Sequence, residues 1–219
     1  MDDRDDLPPA SDCHPPVVRG PRRARSPTPR GPDPDEDLVA LVELGAMDAV
    51  LAALMQRHGV AVHRFCCEAL HDAALADDVR QLIFVAAFED LHRFRRASTL
   101  RAWLFGIARH RVLDAAKARR RAHARIEEAD PTELADLGPA PSAQLHDAQL
   151  TEALVACLRE LDDDVRAALL LRYQQGFSFE EMALVCGEKA GTLHARVARA
   201  LPLLRARIER RLGRARRAG

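Results

Sequence analysis

Apolar residues recur at intervals of three and four positions along most of this chain of 219 residues, beginning at Leu38. This spacing predicts amphipathic helices, and no segment has the alternation of a half-buried strand. The predicted helices cover residues 38–59, 60–74, 77–91 and 100–121, and further helices follow from residue 147. Gly59 is expected near the end of the first, and Asp77 and Asp78 in the first turn of the third, where the helix dipole favours carboxylates. The predicted core stripe of the third helix consists of Val79, Leu82, Ile83, Ala86 and Ala87. The pattern therefore predicts an all-α fold.

The segment 176–200 predicts two short helices joined by a tight turn. Ser178 and Glu181 have the spacing of a capping box, so a helix begins there, and Gly187 suits the left-handed position that ends it. The second helix has apolar residues every four positions on one face and arginines between them. Two such helices form a helix-turn-helix, whose second helix enters the major groove of DNA. An αα-hairpin inside an ordinary bundle is the alternative.

The formal net charge of zero conceals three blocks of charge. Residues 91–125 are almost purely cationic, residues 127–164 are almost purely acidic, and residues 189–219 are cationic again. Cationic surfaces bind phosphate backbones, and counterion release adds to the affinity. The charge distribution therefore predicts two contacts with nucleic acid. Solvated helix faces are the alternative, but such faces usually mix both signs of charge and these blocks do not.

The N-terminal head differs in composition from the rest of the chain. Nine of the thirteen prolines precede Asp35, and the head lacks apolar periodicity. This composition predicts disorder for residues 1–37. No apolar run resembles a signal peptide or a membrane span, so we expect a cytoplasmic protein without membrane insertion.

The five cysteines form no C-x-x-C pair. His63, Cys66, Cys67 and His71 could be metal ligands on one helix, but their spacing matches no zinc pattern. Buried or half-buried thiols in a reducing compartment are the simpler interpretation. No nucleophile–base motif and no Gly-rich phosphate loop supports an enzyme or a metal sensor. We therefore predict no catalytic residue, no metal and no cofactor.

Two long runs of the sequence resemble the conserved domains of one family. The run ADDVRQLIFVAAF, followed by FRRASTLRAWLFGIARHRVLDAAKARRR, is similar to domain 2 of bacterial sigma factors of the extracytoplasmic-function (ECF) group. The run LRELDDDVRAALLLRYQQGFSFEEMALVCGEKAGTLHARVARA is similar to their domain 4. The resemblance covers residues 46–212 and implies four segments, which are the head (1–37), domain 2 (38–125), an acidic linker (126–146) and domain 4 (147–219).

The resemblance implies a function in transcription. A sigma factor is not an enzyme; it binds RNA polymerase core and directs it to promoters, where domain 2 captures the melted −10 element and domain 4 reads the −35 element. The implied partners are core polymerase and promoter DNA, and an anti-sigma factor is a further partner that the resemblance leaves open. The alternative is a helix-turn-helix regulator that acts without core polymerase, against which the match of domain 2 argues.

Three sets of site residues follow from the resemblance. The surface for core polymerase comprises Asp77, Asp78, Gln81, Phe84 and Phe88. The site for the −10 element, where a flipped base needs polar edges and stacking partners, comprises Arg95, Arg96, His110, Arg111, Asp114 and Lys117. The site for the −35 element comprises Lys189, Thr192, His194, Arg196 and Arg199, with Lys189 and Arg199 expected on phosphates and the others on bases. Trp103 could stack on a base, although its spacing favours the core.

The chain departs from the family's pattern at several positions. Leu82 replaces a frequent glutamate of the polymerase-binding helix, and His110 lies where an asparagine often reads the flipped base. In the turn, Glu188 and Lys189 replace the usual small apolar residue and capping serine, and the lost cap should cost on the order of 1 kcal/mol. Pro202 is expected to kink the recognition helix near its end. These departures leave open an unusual promoter sequence or an impaired activity.

Overall fold

The structure of the chain, a computed structural model, describes residues 34–127 and 145–218. The first stretch contains α1 (Glu36–Glu43), α2 (Met47–Leu70), α3 (Ala73–Asp90) and α4 (Leu100–Glu127). The second contains α5 (Leu145–Arg159), α6 (Asp163–Leu169), α7 (Phe179–Cys186) and α8 (Ala190–Ala218). Neither stretch contains a strand, so the all-α prediction is confirmed, and none of these helices is long and apolar enough to cross a membrane. The predictions for residues 1–33 and 128–144 lie outside the described residues.

The first helix break lies earlier than the sequence predicted. Gly45, with a φ of +77°, separates α1 from α2, whereas Gly59 lies inside α2, which runs unbroken to Leu70. The prediction of a helix end near Gly59 is therefore wrong. A glycine inside a helix costs about 1 kcal/mol relative to alanine. Helix α2 offsets this cost by burying Leu54 and Val62 on either side of the glycine.

Helix α3 also begins earlier than predicted, at Ala73. The side chain of Asp72 caps it by accepting a hydrogen bond from the backbone N–H of Leu75, at 3.0 Å. Asp77 and Asp78 consequently lie beyond the first turn, and the prediction that they begin the helix is wrong. Since the helix dipole acts within the first turn, its interaction with these two carboxylates stabilises the helix little.

Helix α8 continues through Pro202 as far as Ala218. The proline removes one backbone hydrogen bond and distorts a helix locally, but it does not end this one. Beyond it, Leu204 is buried, and Arg207 and Arg211 form ion pairs with Glu160, the residue that follows α5. These contacts hold the second half of α8 against α5.

Helices α1–α4 form one domain, α5–α8 form a second, and the two domains pack directly against each other. Helix α4 of the first domain lies against α6 and α7 of the second. The ring of Phe105 in α4 makes edge-on contacts with Phe65 in α2 and with Phe177 in the second domain, at centroid distances of 5.8 and 5.3 Å. Helices α4 and α7 approach each other closely at Gly106, where an added Cβ would make an ordinary contact of 3.6 Å with the carbonyl oxygen of Val185. The sequence did not predict this docking.

A buried charge, Arg166 of α6, joins the two domains. Its guanidinium donates hydrogen bonds to the carbonyl oxygens of Ala69 in α2, at 2.9 Å, and of Leu158 and Leu161, at 3.2 and 3.0 Å. It also pairs with Asp163. Desolvation lowers the pKa of Arg166 from its usual value, although the charge of Asp163 opposes this. The cation is tolerated in the interior because its donors are satisfied.

The first described residues are fixed to α2 by a buried carboxylate. Asp35 is fully buried, lies 2.8 Å from Nε2 of His58 and forms an ion pair with Arg57 at 3.3 Å. Helix α1 starts immediately after it, at Glu36. The folded part of the chain therefore begins before residue 37, which we predicted to be the end of the head.

Candidate polymerase and nucleic-acid surfaces

One face of α3 exposes apolar side chains beside polar ones. Leu82, Val85 and Phe88 are 53%, 54% and 43% exposed, and Asp78 and Gln81 are exposed as well. Their spacing of three and four positions places these five residues, here named the α3 surface, on one side of the helix. Exposed apolar patches of this kind are typical of protein–protein contacts.

Phe84 does not belong to the α3 surface. Its side chain is only 5% exposed and packs in the core with Val79 and Ile83, so the prediction that it contacts polymerase is wrong. The sequence reasoning missed Val85 and placed Leu82 in the apolar core stripe of α3. Leu82 is 53% exposed, so that placement is wrong, whereas the other four residues of the predicted stripe are buried.

Asp77 lies at the edge of the α3 surface, near two basic side chains. One of its carboxylate oxygens is 3.4 Å from both His63 and Arg80.

The thiol of Cys67 lies 3.4 Å from the same His63. Burial raises the pKa of Cys66 to about 12 and that of Cys67 above its usual value. Within the described ranges, no group of three or more His, Cys, Asp or Glu residues could hold a metal ion.

The outward face of α4 carries the predicted −10 residues of this helix. His110, Asp114 and Lys117 are exposed, and Nε2 of His110 lies 3.2 Å from a carboxylate oxygen of Asp114. Arg111 is half-buried beside them. The face thus presents an imidazole, a carboxylate and a cation within two helical turns, a mixture that can donate to and accept from the edges of a base.

The loop before α4 carries the other two predicted −10 residues, Arg95 and Arg96, both exposed. Arg96 has a left-handed φ of 53° and forms ion pairs with two acids of α1, Glu36 at 3.1 Å and Glu43 at 3.3 Å. Trp103, at the start of α4, is half-buried and packs edge-on against an aromatic ring of this loop, with 5.7 Å between centroids. The tryptophan is therefore partly buried against the core, the position that its spacing favoured.

The opposite face of α4 turns its arginines toward the second domain. Arg109 lies 2.6 Å from Asp164, and Arg120 pairs with the adjacent Asp163. The guanidinium of Arg101 lies over an aromatic ring of the second domain, 4.1 Å from its centroid. From the sequence we predicted that the whole cationic block of residues 91–125 contacts nucleic acid. In the structure, some of these cations lie on the solvent-exposed face and others lie at the contact between the two domains.

Helices α7 and α8 form the predicted helix-turn-helix. The hydroxyl of Ser178 accepts a hydrogen bond from the N–H of Glu181, at 3.1 Å, and the carboxylate of Glu181 accepts one from the N–H of Ser178, at 2.7 Å. Gly187 has a φ of +67° at the end of α7. The capping box and the left-handed glycine are therefore confirmed, and both arise from neighbouring residues.

The predicted −35 residues at the start of α8 differ in their exposure. Four of them are exposed, namely Lys189, Thr192, His194 and Arg199. The ring of His194 packs edge-on against Phe179 of α7, at a centroid distance of 5.0 Å. Arg196 is half-buried instead, and its two terminal nitrogens lie 2.9 and 2.6 Å from the two carboxylate oxygens of Glu188. These hydrogen bonds raise the pKa of Arg196 above its usual value.

Two sequence profiles of one family match the chain in the order of its two domains. The profile described as sigma-70 region 2 matches residues 54–122, which run from α2 into α4. The profile described as sigma-70, region 4 matches residues 151–204, which run from α5 into α8. The match thus includes the α3 surface, the outward face of α4 and the helix-turn-helix.

Curated relatives agree with these profiles. The ECF RNA polymerase sigma factor SigC of Mycobacterium tuberculosis is 35% identical over 164 residues, which cover 75% of this chain and 84% of that protein. The ECF RNA polymerase sigma factor EcfG of Rhodopseudomonas palustris is 33% identical over 153 residues, covering 70% of this chain and 79% of that protein.

Solved structures show the same fold. CnrH, in complex with the cytosolic domain of CnrY, superimposes with a TM-score of 0.57 at 26% identity, covering 82% of this chain and 97% of CnrH. The sigma factor RpoE of Bartonella quintana, in complex with the anti-sigma factor NepR, superimposes with a TM-score of 0.54 at 24% identity, covering 82% and 96%. The chain therefore belongs to the sigma-70 family of RNA polymerase sigma factors, in its ECF group.

Proposed function

We propose that the chain binds RNA polymerase core, directs it to promoters and takes part in opening the −10 region. The observation that carries this proposal is the presence, in one chain, of the exposed α3 surface together with two separate faces that suit nucleic acid. A regulator that acts without polymerase would need only the helix-turn-helix. Sigma factors are not enzymes in general, and we assign this chain no catalytic activity.

In the first domain, which we take as residues 38–125, we assign two surfaces. The α3 surface, with Asp77 at its edge, binds core polymerase through its apolar side chains and its acids. The outward face of α4 and the preceding loop bind the unpaired −10 strand through Arg95, Arg96, His110, Arg111, Asp114 and Lys117. The mixed donors and acceptors of His110 and Asp114 support contact with base edges, which a phosphate surface of cations alone would not require.

In the second domain, which we take as residues 147–219, the start of α8 enters the major groove at the −35 element. Thr192 and His194 are exposed and polar, which suits contact with bases. Lys189 and Arg199 are exposed cations, which suits contact with phosphates. The role of Arg196 depends on Glu188, with which it pairs.

The remaining assignments concern the binding partners of the chain and its location in the cell. We propose that the chain works in the cytoplasm, where sigma factors act on DNA and polymerase. CnrH was solved with a second protein bound to it, which supports a protein regulator, such as an anti-sigma factor, as a further partner of this chain. We assign residues 126–146 the role of an acidic linker between the two domains.

Run-off transcription tests the proposal. Purified core polymerase is combined with the full chain and with fragmented genomic DNA, and the transcripts are mapped by sequencing. We expect defined start sites that require the chain and share two upstream elements. Tight binding of duplex DNA by the chain alone, together with an absence of chain-dependent transcripts, would instead identify a regulator that does not use core polymerase.

A further inference from the structure

Glu188 lies in the turn of the helix-turn-helix, where the resemblance led us to expect a small apolar residue. Its carboxylate forms two hydrogen bonds with Arg196, at 2.9 and 2.6 Å, and its side chain is 25% exposed. Paired hydrogen bonds of this kind are charge-assisted and fix the orientation of both groups. Because the pair is partly buried, solvent and salt screen it less than an exposed ion pair.

Arg196 binds Glu188 through its two terminal nitrogens, which form one of the two forks with which a guanidinium can read a base. An arginine reads guanine by donating two parallel hydrogen bonds to the O6 and N7 atoms. In Arg196 both terminal nitrogens already donate to the carboxylate. The carboxylate also neutralises the charge that would attract the guanidinium to DNA. A base contact by this fork therefore requires the ion pair to break.

The ion pair does not depend on the docking of the two domains. Arg109 of the first domain lies 3.5 Å from Glu188 and 2.6 Å from Asp164, so it contributes while the domains are docked. Glu188 and Arg196 both belong to the second domain. Separation of the two domains would therefore remove Arg109 from Glu188 and leave its pair with Arg196 in place.

We propose that Glu188 is a positioning residue that determines −35 specificity, because it holds Arg196 away from the bases and leaves base reading to Thr192 and His194. This inference rests on the proposed function. The resemblance implied that Arg196 contacts a DNA base. In this inference, the pairing with Glu188 prevents that contact.

Selection among −35 sequences tests the inference. Holoenzyme made from core polymerase and the full chain transcribes a library of one mapped promoter, in which the −35 positions are randomised, and the templates of the transcripts are sequenced. We expect Glu188→Ala to acquire a preference for guanine at one −35 position, by about tenfold, as a bidentate arginine–guanine contact allows. Glu188→Gln, which keeps the shape of the side chain, should acquire the same preference more weakly.

Three controls identify Arg196 as the cause. The double variant Glu188→Ala, Arg196→Ala should lose the acquired preference, and Arg196→Ala alone should keep the wild-type preference. Glu180→Ala removes one exposed acid from α7 and should change nothing. A merely structural role of Glu188 would lower activity on all templates alike, without favouring guanine at one position.

The outcomes separate this inference from the proposed function. Wild-type transcription with unchanged base preference in both folded Glu188 variants would overturn the inference alone. A loss of base discrimination in Arg196→Ala would overturn it as well, because the wild-type arginine would then be reading a base. An absence of chain-dependent transcripts with the wild type would overturn both the inference and the proposed function.

Discussion

At the scale of single residues, Asp35 is a carboxylate whose charge is stabilised in the interior. Burial by itself would raise the pKa of Asp35, but the hydrogen bond with His58, the charge of His58 and the contacts with Arg57 together bring it below 3.8. A carboxyl group with a lowered pKa in the folded state stabilises that state above the unfolded pKa. The stabilisation is lost as pH falls through the folded pKa.

We expect Asp35→Asn to lower the free energy of unfolding at pH 7 by about 1.5–3 kcal/mol, the range for hydrogen bonds to a charged group. The difference from the wild type should shrink as pH falls below about 4, because the wild-type carboxyl then becomes protonated too. Urea denaturation at pH 7 and pH 3 measures both values. Asp37→Asn is the control, since Asp37 contacts the same Arg57 from an exposed position. If both substitutions lowered the free energy of unfolding equally, burial of Asp35 would not explain its contribution to stability.

The proposed role of His110 in strand opening gives a second prediction at this scale. We expect His110→Ala to leave closed-complex binding unchanged and to lower opening of the −10 region by up to about tenfold, the equivalent of one lost polar contact of about 1.4 kcal/mol. His110→Asn should retain opening, since an asparagine often occupies this position in the family. Permanganate footprinting beside a binding assay measures the two steps. His92→Ala, at another exposed histidine, is the control, and equal opening by His110→Ala and the wild type would refute the assignment.

At the scale of secondary-structure elements, α3 has one face in the core and one in solvent. Val79, Ile83 and Ala87 are buried, while Leu82 and Val85 of the α3 surface are more than half exposed. Leaving two large apolar side chains in water lowers solubility and does nothing for the fold. The exposed face is therefore explained by a partner that covers it.

We expect Val85→Asp to weaken binding of core polymerase by tenfold or more, because a carboxylate buried without a partner costs well above about 1.4 kcal/mol. Co-purification and titration with labelled core polymerase measure this loss. Val60→Asp is the matched control, since Val60 is an apolar residue of α2 that is 82% exposed and lies outside the α3 surface. Equal affinities of the two variants would rule out the α3 surface as the docking site.

At the scale of the whole molecule, the two domains share one continuous core. The edge-on contact between Phe105 and Phe177, the hydrogen bond from Arg166 to Ala69 and the close approach of α7 to Gly106 all lie between the domains. The outward face of α4 stays exposed in this docked arrangement, as does most of the recognition helix. Domain docking therefore uses a different set of arginines from those assigned to DNA.

Gly106 offers a test of domain docking. Gly106→Ala should preserve docking and stabilise α4 by up to about 1 kcal/mol, because its Cβ would make an ordinary contact of 3.6 Å with the carbonyl oxygen of Val185. Gly106→Leu should push α7 away and raise the radius of gyration in small-angle X-ray scattering. An unchanged radius in the leucine variant would mean that the domains are already apart in solution.

The sequence by itself determined the local features of this chain. The cap formed by Ser178 and Glu181, the turn at Gly187 and the helical segments could all be predicted, because each depends on residues within about four positions. The family resemblance extended this reasoning to the two domains and their order. Even among local features, competition with packing decided the helix boundaries, as the continuous helix through Gly59 demonstrates.

Only the tertiary structure decided which side chains reach solvent and which partners they take. Phe84 is 5% exposed and Phe88 is 43% exposed, although both are aromatic residues of α3. Arg109 faces Asp164 of the second domain, whereas the adjacent His110 faces solvent. The physical reason is that burial and ion pairing depend on the neighbours that packing supplies, and these neighbours come from distant parts of the chain. Helical periodicity determines the face of the helix on which a residue lies. The tertiary structure determines whether that face contacts solvent, the core or the other domain.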